Sequence, residues 1–211
     1  MPLNHQQRQQ IAAVERIVCQ RMSEQQAGHG VDHVLRVYRM AGQIQAEVGG
    51  DRFVIDLAAL LHDIGDAKFH DGIERGGEFS RQILGDVQVA ESTIDRVVEI
   101  VDTISFRKGT DRATLSIEAQ IVQDADRLDA LGAIGIVRTI EYGAAVGQPF
   151  HRSDNADGQH PTGIGHFHDK LFRLSGLMNT EPARRIAHQR HAFMQSFLDQ
   201  YQSEWDATEN A

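Results

Sequence analysis

Residues 52 to 66 read RFVIDLAALLHDIGD, and this stretch decides the fold. Phe53, Val54, Ile55, Leu57, Ala58, Leu60 and Leu61 cover nearly every side of a helix running from about Asp51 to His62. A helix that is apolar all round has no face to give to water, so other helices must surround it. It is also too short to cross a bilayer, which takes about 20 apolar residues.

Working outward, the same 3.6-residue period recurs on both sides. Ile11, Val14, Val18 and Met22 mark a first amphipathic helix; Val34, Val37, Ala41, Ile44 and Val48 mark a second, closed by Gly49-Gly50. Beyond a polar loop from about Gly65 to Gly77, helices are expected near Glu78–Leu84, Glu91–Ile104, Ser116–Asp126, Leu128–Ala145, Gly163–Leu177 and Pro182–Tyr201. Pro182 suits a first helical turn. No run alternates with period two between hairpin turns, so the expectation is an all-α fold. A length of 211 residues suits one domain, with a core over about 25–195 and an N-terminal helix within 1–24. The segment GQPFHRSDNADGQHP, 147–161, lacks periodicity and reads as a mobile loop or a lid.

Composition limits the partners. With 41% hydrophobic and 24% charged residues the chain has ordinary globular usage. A net charge of -9 opposes binding to polymeric nucleic acid or an anionic membrane. Local Lys and Arg beside a metal can still attract a small phosphorylated molecule. The polar, glutamine-rich start carries no signal for secretion, and the single cysteine, Cys19, fits a reducing compartment, so the cytoplasm is expected, as monomer or homodimer. No Gly-rich loop followed by Lys-Ser or Lys-Thr supports ATP-driven motor chemistry.

The His-Asp dipeptide at His62-Asp63 is uninformative by itself. A chain with 11 histidines and this aspartate content yields roughly one such pair by chance, and a second stands at His168-Asp169. Position separates them. His62-Asp63 ends the most apolar helix, where an imidazole and a carboxylate are costly unless paired, hydrogen-bonded or bound to metal. Two further residues share the inward phase: His33, one turn before Val37, and Asp126, one turn after Val122. Each alone reads equally as a capping or hydrogen-bonded residue. Together they offer two imidazoles and two carboxylates, a donor set suited to Mn²⁺, Fe²⁺, Co²⁺, Ni²⁺ or Zn²⁺ more than to Mg²⁺.

In these windows, DHVLRV around His33, LLHDIGD around His62-Asp63 and QDADRLDALGAIGI around Asp126, the chain resembles the HD-domain metal-dependent phosphohydrolases. The match extends over about residues 25–195, and GIGHFHDKLFRLSGLMNT with ARRIAHQRHAFM is similar to the C-terminal part of the YpgQ- and YedJ-like bacterial subgroup. The resemblance implies a helical HD domain with one divalent metal, Mn²⁺ first, on His33, His62, Asp63 and Asp126. It also implies hydrolysis of a phosphate ester or anhydride, with nucleoside triphosphates cleaved to monophosphate and pyrophosphate.

Further roles follow from placement. Asp66, three residues after Asp63, can orient or deprotonate water, and Lys68 can neutralise phosphate charge. Arg127 beside Asp126, and His166 with Lys170 four residues apart on one helix face, are candidates for holding the substrate. A Gly65-Asp66 sequence where alarmone hydrolases carry Glu-Asp turns the expectation away from alarmones. Two competing functions are a nucleotide-binding regulatory module without turnover and a di-iron HD-type oxygenase, the latter needing more ligands than can be placed.

Overall fold

Asp51 starts the central helix by accepting hydrogen bonds from the backbone N–H groups of Phe53 and Val54, which satisfies donors that a helix start leaves orphaned. Gly49 and Gly50 precede it with φ of +90° and +88°, conformations that a side chain would strain. The resulting helix, α3 (Arg52–Leu61), buries Phe53 through Leu61 without a break. The computed structural model describes residues 2–23, 30–65, 72–104, 114–153 and 160–207. Among them the regular structure is entirely helical, as the periodicity predicts.

The chain folds as two compact units, residues 1–126 and 127–211. In the first, α1 (His5–Met22), α2 (Val31–Val48) and α5 (Glu91–Thr103) pack on α3, and α4 (Gly76–Asp86) packs on α5 and α1. α1 opens with a capping box in which Asn4 and Gln7 exchange side-chain and backbone hydrogen bonds. Ile11, Val14, Val18 and Met22 face inward from α1, and Val34, Val37, Ala41 and Ile44 from α2. Burying each Ile, Leu, Val or Met contributes about 1.5–3 kcal/mol, so the α3 core dominates this unit. α6 (Ile117–Asp129) follows and runs three residues beyond the boundary expected from sequence, so Asp126 lies within its last turn rather than at its end.

The second unit holds α7 (Gly132–Val146), a continuous path through α8 (Gly163–His166), a π-helical turn (Phe167–Leu171), α9 (Phe172–Leu174) and a 3-10 turn (Ser175–Leu177), and then α10 (Glu181–Trp205). Arg138 donates to the Asp129 carboxylate at 2.7 Å, and Arg190 donates to the carbonyl of Leu128. Together they fix the corner where α6 gives way to α7. α7 starts at Gly132 because Leu131 is extended and Gly132 has φ +74°; the periodicity alone suggested a start near Leu128.

The described part of the 147–161 segment is tied down. Gly163 and Ile164 donate backbone hydrogen bonds to the carbonyls of Pro149 and Phe150. The Phe150 ring meets those of Phe167, Phe197 and Tyr201 edge-on, and the His151 ring meets Tyr201 and Trp205. Residues 154–159 lie outside the described residues. No helix among the described residues is long and apolar enough to cross a membrane.

Candidate metal centre

α3 ends at a tight corner. His62 and Asp63 occupy a turn that continues to Gly65, with Ile64 buried beneath it and its N–H bonded to the Leu61 carbonyl at 3.1 Å. Arg75 donates its N–H to the Gly65 carbonyl at 2.9 Å, and a Cβ on Gly65 would stand 2.5 Å from backbone atoms of Arg75 and Gly76. Only glycine lets the chain leave α3 so close to the start of α4.

This corner aims both side chains at one point. His62 Nδ1 donates to the Ala59 carbonyl at 2.9 Å, which fixes the tautomer and leaves the Nε2 lone pair free to face inward. His33, at the start of α2, brings its Nε2 to within 3.2 Å of His62 Nε2, the two rings standing edge-on at 71°. Asp63 Oδ2 and Asp126 Oδ1 each lie 3.4 Å from His33 Nε2; Asp63 Oδ1 and Asp126 Oδ1 lie 3.6 and 3.9 Å from His62 Nε2. Both imidazoles are only 2% exposed, whereas Asp63 is 17% and Asp126 39% exposed. The cluster is therefore dry on its histidine side and open on its carboxylate side.

The donors fit a divalent cation. Ligand atoms about 2.1 Å from one ion stand about 3.0 Å apart at 90° and about 3.4 Å apart at the tetrahedral angle, and most of the separations above lie close to that range. His33, His62 and Asp63 alone place ligand atoms within 4.8 Å of one another, close enough to hold a metal ion. Burial tends to raise the Asp126 carboxyl, but the hydrogen bond from His33 and the charges of His62 and His33 outweigh it, even against Asp63, and hold it below the usual carboxylate range. The site thus favours the anionic carboxylate that a cation needs.

The remaining sequence candidates have separate settings. Asp66 and Lys68 fall on residues 66–71, outside the described residues. Arg127 donates to the carbonyl of Leu177 at the end of the 3-10 turn, a bond that periodicity does not announce. His166 ends α8 and Lys170 stands in the π-helical turn that follows. Burial, then the neighbouring Lys170 charge, push His166 below the usual imidazole range, partly offset by Asp169. His168 and Asp169, the second His-Asp pair, are exposed. Sequence reasoning missed the Ala59 carbonyl and the Gly65 crossing. A His three residues after an available helical carbonyl was the one signal for the first.

The HD domain model matches residues 30–131, which contain all four converging side chains. The YpgQ protein of Bacillus subtilis is 36% identical over 185 residues, 87% of each chain. The chain belongs to the HD-domain family. Its solved relatives include an HD-superfamily hydrolase from Bacillus thuringiensis, 36% identical with a TM-score of 0.77 over 95% of this chain and 99% of the other. Another is Bacillus subtilis YpgQ in complex with ADP, 32% identical with a TM-score of 0.80 over 94% and 96%. Within this HD domain the four converging side chains come from three places: His33 on α2, His62-Asp63 just past the end of α3 and Asp126 on α6.

Proposed function

We propose that this HD domain is a metal-dependent phosphohydrolase of small phosphorylated substrates, converting a nucleoside triphosphate to the monophosphate and pyrophosphate. The observation that carries the reading is the convergence of His33, His62, Asp63 and Asp126 with the two Nε2 atoms 3.2 Å apart. Those four residues hold one divalent cation, with Mn²⁺ favoured by the mixed nitrogen and oxygen donors. When bound, such a cation supplies Lewis acidity toward a phosphate oxygen and lowers the pKa of water. The solved relative YpgQ binds ADP, which supports a nucleotide as the substrate class.

The chain's own residues have distinct tasks. The Ala59 carbonyl orients His62, and the buried histidines exclude water from one side of the centre. Asp66 accepts the proton of the attacking water, and Lys68 balances charge gathering on the phosphates. Lys170, His166 and Arg127 hold the phosphate chain. Water's hydroxyl adds to phosphorus as the anhydride bond between the α and β phosphates breaks, and the departing phosphate oxygen takes up the charge. The protein acts in the cytoplasm.

Purified protein incubated with nucleoside triphosphates and Mn²⁺ should release pyrophosphate and nucleoside monophosphate. Asp63→Asn should reduce the rate at least about a hundredfold, roughly 2.7 kcal/mol of barrier. Absence of turnover dependent on both metal and Asp63 overturns the proposal.

A further inference from the structure

Asp126 is the most exposed of the four converging side chains, at 39%, and it stands in the last turn of α6. The carbonyls of a last helical turn have no partners within the helix, and such turns fray. Here the three residues that follow Asp126 are each tied by an arginine. Arg127 itself donates to the Leu177 carbonyl. The Leu128 carbonyl accepts from Arg190 Nη1 at 2.5 Å and from the Leu131 N–H at 3.0 Å. Asp129 accepts from Arg138 Nη1 twice, at Oδ2 at 2.7 Å and at its carbonyl at 3.3 Å.

These bonds answer a defect that the sequence builds into the helix end. Asp129 is buried, and a carboxylate at a helix C-terminus adds to the negative end of the macrodipole. Arg138 neutralises it, and Arg190 brings a second guanidinium to the carbonyl one residue earlier. The chain makes room for Arg190. Gly132 has φ +74°, and a Cβ there would stand 3.0 Å from Arg190 Cγ, so the arginine stem passes where only glycine leaves space.

We infer that Arg190 is a positioning residue for the metal centre: by capping the end of α6, it sets the Asp126 carboxylate at the distance a cation requires. The inference rests on the reading of Asp126 as a metal ligand. Metal–ligand distances hold to within about 0.2 Å, whereas one helical turn rises about 5.4 Å. Partial unwinding of the last turn therefore takes Asp126 out of reach. The Ala59 carbonyl orients His62, and the Arg190 cap does the corresponding work for Asp126. Charge does not account for an arginine bonded two residues beyond a cation ligand, because a guanidinium repels a cation. Geometry does.

Titration of the full chain with Mn²⁺ alone, followed by the electron paramagnetic resonance of the free ion, separates these two effects by sign. Arg190→Met keeps the stem against Gly132 and loses the donor. It should weaken Mn²⁺ binding about 10–100-fold, the range for groups that orient a ligand, where loss of charge alone would tighten it. Arg190→Lys should recover most of the affinity, because its ammonium can still donate to Leu128. In an Asp126→Asn background Arg190→Met should change the affinity by less than about twofold, since the ligand through which it acts is already gone. Circular dichroism in chelator checks the fold, and Arg190→Gln, expected to lose affinity likewise, serves the same comparison if the methionine variant does not fold.

Unchanged or tighter binding in Arg190→Met, with Asp126→Asn weakened, overturns the inference and leaves the proposed function standing. An equal loss in both backgrounds also overturns it, because Arg190 then acts on the fold at large. Asp126→Asn without effect on Mn²⁺ overturns the ligand reading and the inference together.

Discussion

His33 Nε2 and His62 Nε2 face one another at 3.2 Å, although 28 residues separate them in sequence and each comes from a different helix. Neutral imidazoles share at most one proton across such a gap, while two carboxylates stand within 3.9 Å of the same nitrogens. One cation satisfies all four groups at once, whereas protons satisfy them only in part. The arrangement is held in place by the Ala59 carbonyl on one ring and by the crossing of Gly65 over Arg75. Metal affinity should therefore depend as much on this corner as on the ligands.

Loading with metal should stabilise the fold. Mn²⁺ at about 100 times its dissociation constant adds about 2.7 kcal/mol, worth roughly 5–10 °C in Tm for a chain of this size. Differential scanning calorimetry with and without chelator measures it. His62→Ala should abolish the increment, and an equal increment in that variant would remove His62 from the ligand set.

Gly65→Ala and Gly42→Ala should differ sharply. At Gly65 the new Cβ meets Arg75 and Gly76 backbone at 2.5 Å, whereas at Gly42 it meets the movable Arg52 guanidinium at 2.8 Å. The first should cost at least about 2–3 kcal/mol and lower Mn²⁺ binding. The second should cost under about 1.5 kcal/mol by urea denaturation and leave metal binding intact.

Asp56 is fully buried on α3, paired through Oδ1 with Arg52 Nε at 2.7 Å, while its Oδ2 has no hydrogen-bond partner among the described residues. Burial raises its carboxyl above the ordinary value, and the hydrogen bond and charge of Arg52 only partly oppose this. The folded state thus holds the proton more tightly than the unfolded state. Stability contributed by this group is present below the unfolded pKa of about 3.9 and is lost as pH rises toward the raised folded value. Asp56→Asn should remove that downward slope, measured as Tm against pH in chelator; an unchanged slope would assign it to other groups.

Phe150→Ala should loosen the segment after α7. The half-buried ring meets Phe167, Phe197 and Tyr201, and its loss should cost about 2 kcal/mol, less than the 3–5 of a fully buried Phe. Limited proteolysis should then cut between residues 147 and 161 faster than in the parent chain.

Much of this was legible in the sequence. The apolar run from Phe53 to Leu61 required a surrounding bundle of helices, and the inward phases of His33, His62 and Asp126 pointed to one shared core, because side-chain direction along a helix follows from numbering alone. Numbering says nothing of the distance between helices. That His33 and His62 meet at Nε2, that the Ala59 carbonyl selects the His62 tautomer, and that Asp126 stands within a helix rather than at its end came only from packing. The π-helical turn at Phe167–Leu171 was equally hidden, since one inserted residue leaves the hydrophobic period nearly unchanged. Local periodicity thus determined which residues turn inward, and tertiary packing decided which of them touch. Contacts between helices depend on interlocking side chains far apart in the chain, a property that no local window of sequence contains.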